Sequence, residues 1–249
     1  MAPRLISNEL DDAFDFKSQR LKDVRAQITA DFKKNQQDVA NLLIKTSDEL
    51  ILVSEKKDIT KAAFLAALEK IKSGTELIGA QFKSSFEVVL NNLTSEEAEY
   101  FNTYSVKKHK EADEKISDKE KYVKSQVKNF EKTMDFFFGS ATEEQLDIYK
   151  KFIIENYDYF LAQHQFQKNF LINFMVLKTK KEELLDYVLK YFRNDLSVRS
   201  EDYQKKYVAF EKSFTELEYN IWNSRTDKQQ KTFKKNMAAI KEELLPLSQ

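Results

Sequence analysis

Apolar positions along this chain recur every three or four residues, over one long stretch after another. Leu146, Tyr149, Ile153, Tyr157, Phe160, His164, Gln167, Leu171 and Phe174 follow that spacing. So do Phe64, Leu68, Ile71, Thr75, Ile78, Phe82, Phe86 and Val89, with Gly74 and Gly79 inside the run. An α-helix turns once per 3.6 residues, so each set falls on one face and must be buried against another element. Leu21, Val24, Ile28, Phe32, Val39, Leu42 and Leu50 trace a similar stripe, and Val123, Val127, Phe130, Met134 and Phe137 another. Shorter ones run from Leu184 to Phe192, from Tyr203 to Ile221 and from Phe233 to Leu245. No segment alternates with the period of two that marks a half-buried strand.

The pattern predicts an all-α fold, an elongated bundle of about seven helices. The long members are expected over about 17–53, 61–91, 95–138 and 143–176. A helix of about 40 residues is on the order of 60 Å long. The run "KKHKEADEKISDKEK" at 107–121 is almost wholly polar and is expected to stay exposed on most faces. No stretch rich in Gly, Pro and Ser divides the chain, which favours a single all-helical domain over 1–249.

Helix starts are written in a repeated phrase. Thr94, Thr142 and Thr226 are each followed three residues later by Glu97, Gln145 or Gln229. This is capping-box spacing: the Thr hydroxyl accepts from the third N–H, and the Glu or Gln side chain reaches back to the Thr N–H. Leu93 with Ala98, and Ala141 with Leu146, add an apolar staple across the cap; Arg225 with Gln230 does not. Ile59-Thr60 has its staple partner in Phe64, but Ala63 stands where the acid or amide belongs.

Composition narrows the function classes. With 41 basic and 41 acidic residues, the chain lacks the cationic surplus that nucleic acid or an anionic lipid surface would demand. Its 3 glycines and 2 prolines are too few for a turn-rich β fold or a phosphate-cradling loop. The absence of cysteine excludes disulfides, thiolate metal sites and a Cys nucleophile. No apolar run reaches the roughly 18–20 residues that cross a bilayer.

Candidate chemistry is sparse. His109 sits among lysines and reads as solvent-facing; His164 lies on an apolar stripe and reads as a satisfied core histidine. Leu161 and Val106 occupy the positions three before them, so the Glu-x-x-His pattern of di-iron bundles is missing. Acidic pairs such as Glu96-Glu97 and Glu143-Glu144 fall at helix starts, where carboxylates complement the helix dipole. No nucleotide-loop or nucleophile-elbow motif occurs. Accordingly no catalytic, cofactor-binding or metal residue is named, and no cofactor is expected. The feature in excess is rings: "DFFFGS" at 135–140, "NYDYFLAQHQF" at 156–166 and "DYVLKYF" at 186–192 hold more than one helix face needs. Beyond core packing, they would suit a groove for an apolar ligand or an unfolded chain.

The boxes "LTSEE", "ATEEQ" and "RTDKQ" resemble the LTxxQ motif of periplasmic Spy/CpxP-type helical proteins. A longer resemblance begins at 9–25, where "ELDDAFDFKSQRLKDVR" is similar to the opening of an uncharacterised family of proteobacterial lipoproteins. There a "LDDYFDL" phrase and a "QR" helix follow the lipidated Cys. Residues 122–152 resemble that family's basic amphipathic helix, "WLG" phrase and box, with Phe137-Phe138-Gly139 in place of the phrase. "HQFQKNFLINF" at 164–174 and the helix over 225–244 resemble its later phrases. This chain departs in being Phe- and Lys-rich where the family is Arg-rich, and in carrying no signal peptide or lipidated Cys. The resemblance implies a non-enzymatic, periplasmic protein lipid-anchored to the bacterial envelope, with residues 1–16 close to the anchor. The similarity of the boxes to the Spy/CpxP type, with the excess of rings, implies an ATP-independent chaperone or protein-binding module whose partners are proteins or unfolded segments. Nucleic acid is not a partner, and the membrane is one only through the anchor. The alternative is a cytosolic helical scaffold.

Overall fold

A computed structural model of the protein describes residues 2–56, 59–80, 83–193 and 195–249, with the side chains of residue 2 and of 72–80 outside the description. Eleven α-helices and no strands are present among the described residues. They are α1 (Ala2–Phe14), α2 (Ser18–Ser54), α3 (Lys61–Ala80), α4 (Lys83–Leu90), α5 (Ser95–Ser117), α6 (Lys119–Phe138), α7 (Glu143–Glu155), α8 (Tyr157–Leu177), α9 (Lys181–Phe192), α10 (Glu201–Asn223) and α11 (Asp227–Leu244). The all-α class agrees with the hydrophobic pattern, but the count exceeds the seven predicted. Thr75, Ile78 and Phe82 of the predicted stripe, with Gly74 and Gly79, lie outside the described side chains.

Of the four extra helices, one is α1, which the pattern did not predict, one comes from α3 and α4 standing in place of the helix predicted over 61–91, and two arise because two further predicted long helices are interrupted. The helix predicted over 95–138 breaks at Asp118, whose carboxylate accepts from Lys121 N at 3.1 Å and starts α6. The helix predicted over 143–176 breaks at Asn156. Its side-chain amide donates to Phe152 O at 2.9 Å, and its Oδ1 accepts from the Ser213 hydroxyl at 2.8 Å. Short polar side chains of this kind bond nearby backbone groups and so compete with a continuous helix. The polar run 107–121 has one buried residue, Ile116, consistent with its composition.

All three capping boxes form. Thr94 and Glu97 exchange bonds of 3.0 and 3.1 Å, Thr142 and Gln145 bonds of 2.9 and 3.2 Å, and Thr226 and Gln229 bonds of 3.0 and 3.1 Å. Thr60 caps α3 from one side only, accepting from Ala63 N at 3.3 Å. The turn before Thr142 needs Gly139, which has φ +83; a Cβ there would also meet Thr232 Cγ2 at 3.1 Å.

The chain forms two compact units, each from three segments. Unit 1 holds 1–35, 76–114 and 162–204; unit 2 holds 36–75, 115–161 and 205–249. In unit 1, the core gathers Phe14 and Phe16, Val24 and Ile28 of α2, Val89 and Leu90 of α4, Phe174 of α8, and Leu184 and Val188 of α9. Unit 2 has two clusters. One centres on Phe64, Trp222, Phe233 and Met237, the other on Val123, Met134, Phe152, Ile153 and Ile221.

Within unit 2 the boxes of α7 and α11 meet head to head. Gln145 and Gln229 are both almost fully buried, and each amide donates to the other's oxygen, at 3.2 and 2.8 Å. Gln145 also donates to the Ser224 hydroxyl at 3.1 Å, and Gln229 to Ser140 O at 2.7 Å. In unit 1 the third box is closed by charge instead. Arg20 of α2 sits 3.4 Å from Glu97 Oε1 and donates at 2.6 Å to both Val88 O and Val89 O, carbonyls left open at the end of α4.

Candidate functional site

Unit 1 encloses a cavity of about 520 Å³. Its walls follow from which stripes converge. Helix α1 contributes Ile6, Leu10, Ala13 and Phe14, spaced so that they share one face. Arg25 holds α1 in place, donating to the Ser7 hydroxyl and to Asn8 Oδ1, both at 3.0 Å. Ile28 and Phe32 come from α2, Phe86, Val89 and Leu90 from α4, and Phe101 from α5. Phe170 and Phe174 come from α8, and Val188, Leu189 and Phe192 from α9.

The rings of this wall touch one another. Phe14 stacks on Phe101 with centroids 4.6 Å apart, Phe101 meets Phe174 at 4.6 Å, and Phe86 meets Phe192 at 5.0 Å. Phe14, Ile28, Val89, Leu90, Phe174 and Val188 are buried, whereas Ile6 and Phe192 are 42% and 62% exposed and so mark the opening. Among the described residues only two of the lining are polar. The Ser85 hydroxyl donates to buried Asp31 at 2.7 Å, which also accepts from Gln27 at 3.0 Å. Arg193, exposed and next to Phe192, is the cavity's cation.

The size lies within the range of small-ligand pockets, and the lining is more apolar than most. What such a surface does is bury hydrocarbon. An unfilled apolar cavity leaves its lining atoms without dispersion partners on one side, so an apolar occupant gains both contacts and desolvation. In unit 2 a groove of about 460 Å³ between α7 and α10 has a different character, with Lys151, Glu155, Lys212 and Glu216 among its lining.

The ring-rich segments go mainly to core and cavity, although Phe136 is 61% exposed. Tyr159 stacks on Phe210 at 3.9 Å, and Phe138 on Phe233 at 4.9 Å, inside unit 2. Phe166 stacks on Tyr203 at 4.6 Å and Phe170 meets Tyr191 at 4.1 Å inside unit 1. Of the three segments singled out by ring density, only 186–192 reaches the cavity, through Val188, Leu189 and Phe192. Helix α1 is the contribution that the sequence reading missed; its signal was the spacing of Ile6, Leu10, Ala13 and Phe14.

The two histidines come together in unit 1, with ring centroids 5.7 Å apart. His164 is buried, as its stripe predicts, and its Nε2 lies 2.9 Å from Asp113 Oδ1. Lys168 bonds both oxygens of the same carboxylate, at 2.5 and 2.7 Å, which holds Asp113 below its usual range. His109 is half-buried rather than solvated, and burial, the His164 ring and Lys168 lower its pKa. Among the described residues no group of three or more His, Asp or Glu is placed to hold a metal ion, and no helix is long and apolar enough to cross a membrane.

Fold and site thus define a class: an all-α protein with a ring-lined apolar cavity in one of its two units. Compared with protein-family models, with curated proteins and with solved structures, the chain finds no match.

Proposed function

We propose that this protein works without catalysis, as a binding module of the bacterial envelope that takes apolar parts of other molecules into the cavity of unit 1. The cavity carries the reading: about 520 Å³, walled by Phe, Leu, Ile and Val from six helices, with a ring at its opening. Holding partly unfolded chains without ATP is one use of such a site, since apolar side chains of an extended segment enter it and gain about 25 cal/mol per Å² buried. The envelope setting, and the lipid anchor with it, rest on the resemblance of residues 9–25 and of the capping boxes to envelope proteins.

The test is uptake of an environment-sensitive apolar dye, N-phenyl-1-naphthylamine. One dye is expected to bind per chain with a rise in emission, and the Ala13→Phe variant, which fills the cavity from α1, is expected to lose it while its melting temperature holds or rises. No uptake by the parent chain would leave a charged helical scaffold as the reading. Light scattering of a denatured client, diluted with and without the protein, then tells whether polypeptide is among the occupants; unchanged aggregation across several clients removes the holdase role.

A further inference from the structure

We infer that the preferred occupant of this cavity is a free fatty acid, its alkyl chain inside and its carboxylate on Arg193. The inference rests on the binding role proposed above and deepens it. Inside the opening, the lining among the described residues offers hydrocarbon and rings but no free hydrogen-bond donor, because its one hydroxyl, Ser85, is committed to Asp31 at 2.7 Å. A ligand with a polar group along its length would bury that group unsatisfied, at a cost of 1–3 kcal/mol or so for each. The ligand must therefore be apolar until it reaches the opening.

At the opening the chemistry changes in one respect. Arg193 lines the cavity beside exposed Phe192, and among the described residues no carboxylate pairs with it. Arg193 is held at the end of α9 by its backbone N–H, which donates to Leu189 O at 3.0 Å. A guanidinium presents a planar fork of donors that fits a carboxylate with two bonds. Among the described residues no other cation lines the cavity, which leaves the opening as the place for the acid. One chain with one anionic end satisfies each of these features. A cationic amphiphile meets Arg193 with like charge. A two-chain phospholipid asks for about twice the hydrocarbon volume in a cavity at the middle of the range for small ligands.

The experiment is displacement of N-phenyl-1-naphthylamine from the full chain by palmitate, by hexadecanol and by hexadecyltrimethylammonium, each below its micelle concentration. Palmitate is expected to displace the dye with the highest affinity, about fivefold tighter than the alcohol, a preference suited to an exposed ion pair. In Arg193→Gln the palmitate preference is expected to vanish while displacement by hexadecanol is unchanged. Equal affinity for all three amphiphiles, or a palmitate preference that survives Arg193→Gln, would overturn the assignment while the dye still reports a working cavity. Binding to phosphatidylglycerol vesicles without displacement by free palmitate would overturn it as well, in favour of a membrane surface. Failure of the parent chain to take up dye at all is a different result and strikes the binding role itself.

Discussion

The two units bury a helix start in opposite ways. In unit 2 the boxes of α7 and α11 face each other, and Gln145 and Gln229 satisfy one another with four amide hydrogen bonds' worth of neutral partners, counting Ser140 O and the Ser224 hydroxyl. In unit 1 the box of α5 carries Glu97, so the closing partner is a cation: Arg20, which also binds the last carbonyls of α4. The same Thr-x-x-Glu/Gln spacing thus leads to two kinds of core. The amide pair finds its remaining partners in neutral groups close by, Ser140 O and the Ser224 hydroxyl. The Glu97 carboxylate is met by a long cationic arm from another helix, and the arm pins α2, α4 and α5 together beside the cavity. Unit 1 therefore adds a charged clamp to its packed core beside the cavity, and unit 2 a neutral knot to its own.

The clamp predicts the largest single effect. Replacing Arg20 with Met keeps much of the stem's bulk but removes the charge that offsets Glu97, which is 6% exposed, and frees two carbonyls. Breaking a buried ion pair from one side costs about 3 kcal/mol or more. Urea denaturation of Arg20→Met is expected to show a loss of that order, with hydrogen exchange accelerated first around 88–100. A loss under about 1 kcal/mol would mean that solvent already reaches Glu97 and that the contrast between the units is superficial.

The neutral knot predicts a smaller loss with strong coupling. Gln145→Leu leaves one N–H of the Gln229 amide without its acceptor and removes the bond that returns to Thr142 N, at a cost of about 2 kcal/mol. The double variant Gln145→Leu with Gln229→Leu is expected to lose less than the two single losses added, by about 1 kcal/mol, because neither amide is then left without a partner. Thermal melts of the four proteins close the cycle. Additive losses would show that the two boxes act as separate caps and that the knot adds nothing.

How far these features were legible in the sequence depends on how local they are. A capping box is complete within four residues, so Thr94, Thr142 and Thr226 could be read directly. That Gln145 would find Gln229, 84 positions away, is a tertiary fact with no local mark. The break at Asn156 was hidden because Ile153, Tyr157 and Phe160 keep helical spacing straight through it; the hydrogen bond to Ser213 on α10 is what turns an interior Asn into a break. The break at Asp118 fell in a run with too few apolar residues to show any phase. The cavity was least legible, since six helices supply its walls and no short stretch holds more than four of its residues in a row of turns. Ring surplus gave a true hint at 186–192 and a misleading one at 156–166, where Tyr159 and Phe160 pack into unit 2 against Phe210.

The smallest effect tests a condition common to both units, that a carboxylate buried in this fold needs a partner, a cation as at Glu97 or neutral donors as at Asp31. Glu218 of α10, in unit 2, is the counterexample to Glu97: it is half-buried, and no partner stands beside it among the described residues. Burial alone raises its carboxyl to about 7 from an ordinary 4.5. Since the folded value is the higher one, the folded chain holds the proton more tightly than the unfolded chain. The contribution to stability is therefore fully present below about pH 4.5 and is lost as pH rises through about 7. Glu218→Gln removes the titration. The variant and the parent are expected to be equally stable near pH 4.5, and the variant more stable by about 1 kcal/mol at pH 8, a figure reduced because Glu218 is only half-buried and solvent screens it. Urea midpoints measured across that range decide it. A parent chain whose stability tracks the variant at every pH would mean that Glu218 is ionised at little cost, and that burial of an acid in unit 2 demands no partner after all.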